Sequence, residues 1–346
     1  MEQGPVSRSL AFDYAVGICS LWIASGFFLD AWAHGHVPVE TFFTPYHGVF
    51  YSGMAAMIVT IAVFALRNRL RGYRWQDCVP APYRVALLGI PIFIVAGVGD
   101  MLWHFILGIE EGVDALLSPS HQGLGLGMFF LSSGPIRSVL ADRDRSLCLG
   151  RQFPLVLGLA TWLVLLHFGT AYAFDPAAGL TNAPPPISPF TSDYLNALAI
   201  GYYKVAMGVL VLIFQSTVMA VFAMWLVSRL RTQFGTFTLL YLLGNVAAAA
   251  AFTNYTPLLA VTIAQSIVTG LVADSMVARL DPQPERRAAF LWFAAIVPAT
   301  YSGVYLLATA AADRLWWDWN VSLGAWVWTG VCGFALGLLA TARRNA

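Results

Sequence analysis

Long apolar runs constrain this chain more than any other feature. A helix that crosses a bilayer needs about 20 mostly apolar residues. Such runs recur near 11–34, 45–66, 84–107, 120–140, 153–173, 197–227, 235–252, 256–278, 287–311 and 322–342. Charged residues make up 11% of the 346 positions and hydrophobic residues 58%, against roughly 25% charged in a soluble domain. A surface facing water needs polar cover, and a bilayer removes that need. The runs therefore predict an all-α, polytopic membrane helix bundle of about ten spans, a single transmembrane domain over 1–346. The first nine residues hold one arginine and no apolar run, so the stretch from Leu10 is expected to be the first span and not a cleaved leader.

The arginines give the expected orientation. Arg67, Arg69, Arg71 and Arg74 follow the second run with Arg84 at the edge of the third, and Arg143, Arg145 and Arg151 follow the fourth with Arg137 near its end. Arg229 and Arg231 follow the sixth, Arg279, Arg286 and Arg287 the eighth, and Arg8, Arg343 and Arg344 flank the set. The alternate connections hold Arg314 alone and carry Glu40, Glu110, Glu111, Asp114, Asp175, Asp193, Asp313 and Asp318. Positively charged loops stay on the cytoplasmic side. Both termini are thus expected inside the plasma membrane, with the acidic loops facing the periplasm or exterior. A net charge of +1 offers no basic field for nucleic acid. Cys19, Cys78, Cys148 and Cys332 have no metal-ligand spacing, and no disulfide is expected.

Two stretches resemble each other. Asp30 to Met54 reads DAWAHGHVPVETFFTPYHGVFYSGM, and Asp100 to Met128 reads DMLWHFILGIEEGVDALLSPSHQGLGLGM. With one four-residue insertion, Asp30 aligns with Asp100, His34 with His104, Glu40 with Glu110, Thr44 with Ser118, Pro45 with Pro119, His47 with His121 and Gly53 with Gly127. The pattern predicts an internal repeat of helical hairpins, about 10–66 and 83–140, followed by the remaining helices over about 153–342. Asp and His four apart share one helix face. The Thr/Ser-Pro step opens the next helix, with a hydroxyl cap, proline in the first turn and histidine in the same turn. A hairpin sets these two helix ends side by side, so Asp30, His34 and His47 are expected to converge, as are Asp100, His104 and His121. Two imidazoles and a carboxylate suit copper, zinc or iron. All six histidines, the others being His36 and His167, map to the outer side. Glu40 and Glu110 read as either solvated loop acids or outer partners of the ligands. The Gly123, Gly125 and Gly127 run predicts close packing behind His121.

The first hairpin, Asp, three residues, His, twelve residues, His, resembles the copper-site pattern of the membrane C subunit of particulate methane and ammonia monooxygenases. The resemblance carries over to Asp30, His34 and His47 and implies copper held between neighbouring transmembrane helices. The second hairpin departs from it, with sixteen residues between His104 and His121. The longer pattern, GIEE followed by SPSH, also resembles polytopic bacterial membrane proteins of unassigned function.

The expected function is thus transition-metal binding, copper first, for oxidation of a small apolar substrate or for metal handling, with lipid and other membrane subunits as partners. A ceramidase-like zinc hydrolase using metal-activated water is a second reading. A b-type haem protein is a third. A proton-coupled transporter is disfavoured, because the charged residues crowd one face and not the midplane. Lys204, beside Tyr202 and Tyr203, reads as a snorkelling lysine or a counter-ion. Asp274 reads as a local ion pair with Arg279.

Overall fold

The computed structural model describes residues 6–37, 41–108, 117–142, 144, 146–170, 194–252 and 256–342. Among these, all regular structure is helical. We number the helices α1 (Leu10–His36), α2 (Pro45–Leu70), α3 (Gly89–Leu107), α4 (Pro119–Leu140), α5 (Leu149–Thr170), α6 (Tyr194–Arg229), α7 (Thr236–Phe252), α8 (Thr256–Leu280), α9 (Arg287–Ala311) and α10 (Trp319–Ala342). Three single-turn 3₁₀ segments at Trp75–Asp77, Ala81–Tyr83 and Ala86–Leu88 lead into α3.

Eight helices are long and apolar enough to cross a membrane: α1, α2, α3 with the turns before it, α5, α6, α8, α9 and α10. The α4 helix is 22 residues long but begins PSHQG and carries Ser132, Ser133 and Pro135, which lowers its hydropathy. The α7 helix is apolar but short, 17 residues. On α3, Val95, Phe105 and Ile106 are 72%, 64% and 76% exposed. Apolar surface of this extent needs a hydrocarbon solvent. The chain is a multi-pass helical membrane protein.

The chain forms two compact units, Met1–Gly169 with Leu243–Phe252, and Thr170–Leu242 with Thr253–Ala346. In the first, α1 packs on α2 and α4, and α3 packs on α4. Small residues permit this closeness. A Cβ on Gly26 would lie 2.7 Å from the Phe50 Cα, and one on Gly127 would lie 2.8 Å from the Phe93 Cβ. Gly123 faces Ala96 in the same way, whereas Gly125 has open space beside it. At the arginine-bearing end, the buried Asp13 carboxylate accepts hydrogen bonds from Arg8 (2.8 Å), Tyr83 (2.8 Å) and Ser138 (3.0 Å). Arg8 also bonds Asp142 at 2.7 Å. This network ties the start of α1 to the end of α4.

In the second unit, α9 packs on α6, α8 and α10. Leu212, Val261, Tyr305, Leu306, Trp317 and Ala325 form an apolar cluster there. Asp274 has a different partner from the expected arginine. Its carboxylate accepts from the Phe237 N–H (3.0 Å), the Thr238 N–H (3.2 Å) and the Thr238 hydroxyl (2.7 Å). The first turn of a helix leaves N–H groups unsatisfied and carries partial positive charge, so α7 draws the acid away from Arg279.

Gly26 faces main chain, which cannot swing aside as a side chain can. Gly26→Val is therefore expected to destabilise the α1–α2 pair by about 1–3 kcal/mol and to lower the melting temperature in detergent. An unchanged melt would show that the two helices do not close this tightly.

Candidate metal centre

The site is built at the ends of four helices, opposite the arginines. The α1 helix stops at His36 because Val37, which precedes Pro38, is extended (φ −124°, ψ 135°). The α3 helix stops at Gly108, whose φ of 91° suits glycine. Thr44 caps α2, its Oγ1 accepting from the His47 N–H at 3.2 Å, with Pro45 in the first turn. Ser118 caps α4 likewise, accepting from the His121 N–H at 3.3 Å, with Pro119 following. Each cap also holds the imidazole above it. Thr44 Oγ1 lies 3.0 Å from His47 Nδ1, and Ser118 Oγ lies 2.7 Å from His121 Nδ1. One hydroxyl thus starts the helix and orients its histidine.

The expected donors meet, and the two hairpins share one of them. One grouping is Asp30, His34 and His47; the other is His47, Asp100 and His104. Within each, one ligand atom per residue lies within 4.8 Å of the others. His121 stands beside the second grouping, its Nε2 3.2 Å from Asp100 Oδ1. Rings of His34 and His104 stack across the hairpins at 6.2 Å, and those of His47 and His104 meet edge-on at 6.2 Å. Asp30, His47, Asp100, His104 and His121 are all buried.

The spacings of two of the pairs leave room for a shared ion. His34 Nε2 is 3.5 Å from Asp30 Oδ2, and His104 Nε2 is 3.6 Å from Asp100 Oδ1. Both exceed the 2.7–3.2 Å range of N–H···O bonds. They match the roughly 3.4 Å that separates two ligands each about 2.1 Å from one tetrahedral ion. His104 Nδ1 contacts the Gly108 carbonyl at 3.4 Å. A carbonyl only accepts, so with Nδ1 protonated toward it, Nε2 would present its lone pair. His47 Nδ1 is engaged by Thr44 and by Asp30 Oδ1 at 3.3 Å. The Nε2 atoms of His47 and His104 are buried without a hydrogen-bond partner among the described residues. A ligand histidine commonly has one nitrogen held by a carboxylate or carbonyl and the other free for metal.

Charge balance points the same way. No Arg or Lys side chain pairs with Asp30 or Asp100 among the described residues; their ion-pair neighbours are imidazoles. Buried charges are paired or coordinate metals. Ser120, which the sequence pattern did not single out, donates to Asp100 Oδ1 at 2.9 Å. Its signal was its place inside the capping turn.

Other sequence candidates fall elsewhere. His36 stacks on Trp32 at 4.8 Å and contacts its carbonyl. His167 Nε2 lies 2.8 Å from Asn245 Oδ1. Glu40 and Glu110 lie outside the described residues. Comparison with protein-family models, with curated proteins and with solved structures found no match. Fold and site together define a multi-pass helical membrane protein with a buried Asp/His cluster able to hold a metal ion.

Among the described residues Asp100 has no arginine or lysine to balance it, and Asn keeps an oxygen for Ser120. In chelator-treated protein, Asp100→Asn is expected to raise the melting temperature or leave it unchanged. A marked fall would show that the carboxylate is compensated without metal.

Proposed function

We propose that this protein binds a transition metal at the outer face of the membrane through one linked centre drawn from both hairpins. The observation that carries the reading is His47, common to both groupings, with a buried Nε2 that lacks a protein partner. Asp30, His34, His47, Asp100, His104 and His121 form the donor set. Copper is the first choice, because the Asp30, His34 and His47 pattern resembles the monooxygenase copper site and imidazole suits copper. When bound, copper supplies one-electron chemistry, and zinc would supply a Lewis acid. The use is oxidation of a small apolar substrate arriving through the bilayer, or storage and delivery of the metal, with other membrane subunits as partners. The zinc hydrolase reading rests on the same donors, and the identity of the metal separates the two. Haem fits less well, because Asp30 reaches both His34 and His47 where a flat macrocycle would have to stand.

The repeat accounts for the matched caps and donors of the two hairpins. Counting α4 and α7 with the eight apolar helices gives ten spans and puts both termini on one side. The donor cluster lies at the end of α1–α4 away from Arg8, Arg67, Arg69 and Arg137, which the positive-inside rule places toward the periplasm or exterior.

Elemental analysis of protein purified without added metal tests the main reading. Copper is expected in the wild type, and His47→Ala is expected to lower metal content more than His34→Ala or His121→Ala, since His47 serves both groupings. Unchanged metal across variants of all six donors would sink the proposal. Orientation is tested in a cysteine-free background with an impermeant thiol reagent on intact cells. Phe43→Cys, at a position 75% exposed, should label, and Gln76→Cys should not; the reverse pattern would invert the topology.

A further inference from the structure

The Tyr51 hydroxyl is buried and has no hydrogen-bond partner among the described residues. A buried tyrosine O–H normally finds one, because leaving it unmade costs about 1–3 kcal/mol. The position of this phenol says where the missing partner lies. Tyr51 is four residues after His47 on α2, so it shares that helix face one turn deeper. Its ring stacks nearly parallel on His47 (14°, centroids 6.2 Å) and meets Phe93 edge-on at 6.1 Å. Across from it stands Gly97 of α3, three residues before Asp100; a Cβ there would lie 3.3 Å from the Tyr51 oxygen. Glycine leaves room for the phenol to sit against α3. Tyr51 therefore spans the two hairpins on the inner side of the donor cluster, and both Asp100 and Asp30 act on it electrostatically.

Phe42, Phe50 and Phe93 surround the rest of the ring, with centroids 5.9, 4.9 and 6.1 Å away. They offer the hydroxyl nothing to bond. The polar groups that act on the phenol are the carboxylates of the donor cluster, Asp100 and Asp30, so a ligand at the centre is the partner this site offers it.

We propose that Tyr51 donates a hydrogen bond to a small exogenous ligand, anion or oxygen species, held at the centre opposite its protein donors. The proposal rests on the metal reading. It makes Tyr51 a positioning residue for the incoming ligand and not a metal ligand.

The test compares wild type and Tyr51→Phe, each loaded with Cu²⁺ and titrated with azide, followed by the azide-to-copper absorption band. Copper per protein should be equal in the two, and azide should bind at least about tenfold more weakly to the variant, the loss expected for one hydrogen bond to a charged acceptor. Equal azide affinity at equal copper overturns the role of Tyr51 and leaves the metal reading standing. A wild type that takes up no copper overturns both. Should Tyr51→Phe fail to fold, infrared difference spectra of the wild type serve instead. Adding azide to the copper-loaded protein should shift a phenol C–O band, and a spectrum without that shift would overturn the proposal.

Discussion

Two carboxylates buried where, among the described residues, no arginine or lysine pairs with them set the terms for the first unit of this protein. Asp30 and Asp100 lie at 6% and 1% exposure, and an isolated ionised carboxylate in such a place carries a large desolvation penalty. Four imidazoles surround them, each with a ring nitrogen 3.2–3.6 Å from a carboxylate oxygen. A bound cation would balance the cluster, and two groupings of these side chains bring their donor atoms close enough to hold one. The contrast with Asp13 at the other end of α1 is instructive. There the buried carboxylate has Arg8, Tyr83 and Ser138, and no further partner is called for.

The backbone and the chemistry are joined at the caps. Thr44 and Ser118 each satisfy a first-turn N–H and contact the Nδ1 of the histidine in that turn. A helix end is a poor place to keep polar groups in hydrocarbon unless they bond locally, and these ends do so with the groups that aim the imidazoles. Close packing then holds the four ends together. Gly26 and Gly127 bring α1 onto α2 and α3 onto α4 at distances that no larger residue would allow.

Much of this was legible in the sequence because it is local. Hydropathy over about 20 residues marks a span. The helical repeat puts Asp30 with His34 and Asp100 with His104, and hydroxyl-proline steps announce where α2 and α4 begin. What escaped is what two segments decide together. Nothing in the order of residues says that His47 of the first hairpin faces Asp100 and His104 of the second, because that depends on how α1 and α2 lie against α3 and α4. Tyr51 carried a faint signal, its spacing from His47, but an aromatic residue in an apolar helix has no distinguishing pattern. Asp274 looked like a partner for the nearest arginine in sequence. In space it found the N–H groups of α7, a comparison the linear order does not offer. The polar start of α4 lowers its hydropathy below that of its neighbours, yet the run near 120–140 still marked it as a helix.

The six donors all lie between Asp30 and His121, on α1–α4, and that placement has a bearing on biosynthesis. A chain leaves the ribosome from its N-terminus, and its leading segments fold first. By the time Leu140 at the end of α4 has been translated, every donor is already in the polypeptide, and the separations the contacts must close are short. On the proposed metal reading, capture of an ion would begin on the nascent chain, while α5 to α10 are still being made. Supply of metal at the moment of insertion, and not only afterwards, would then govern how much of the protein matures with its centre filled.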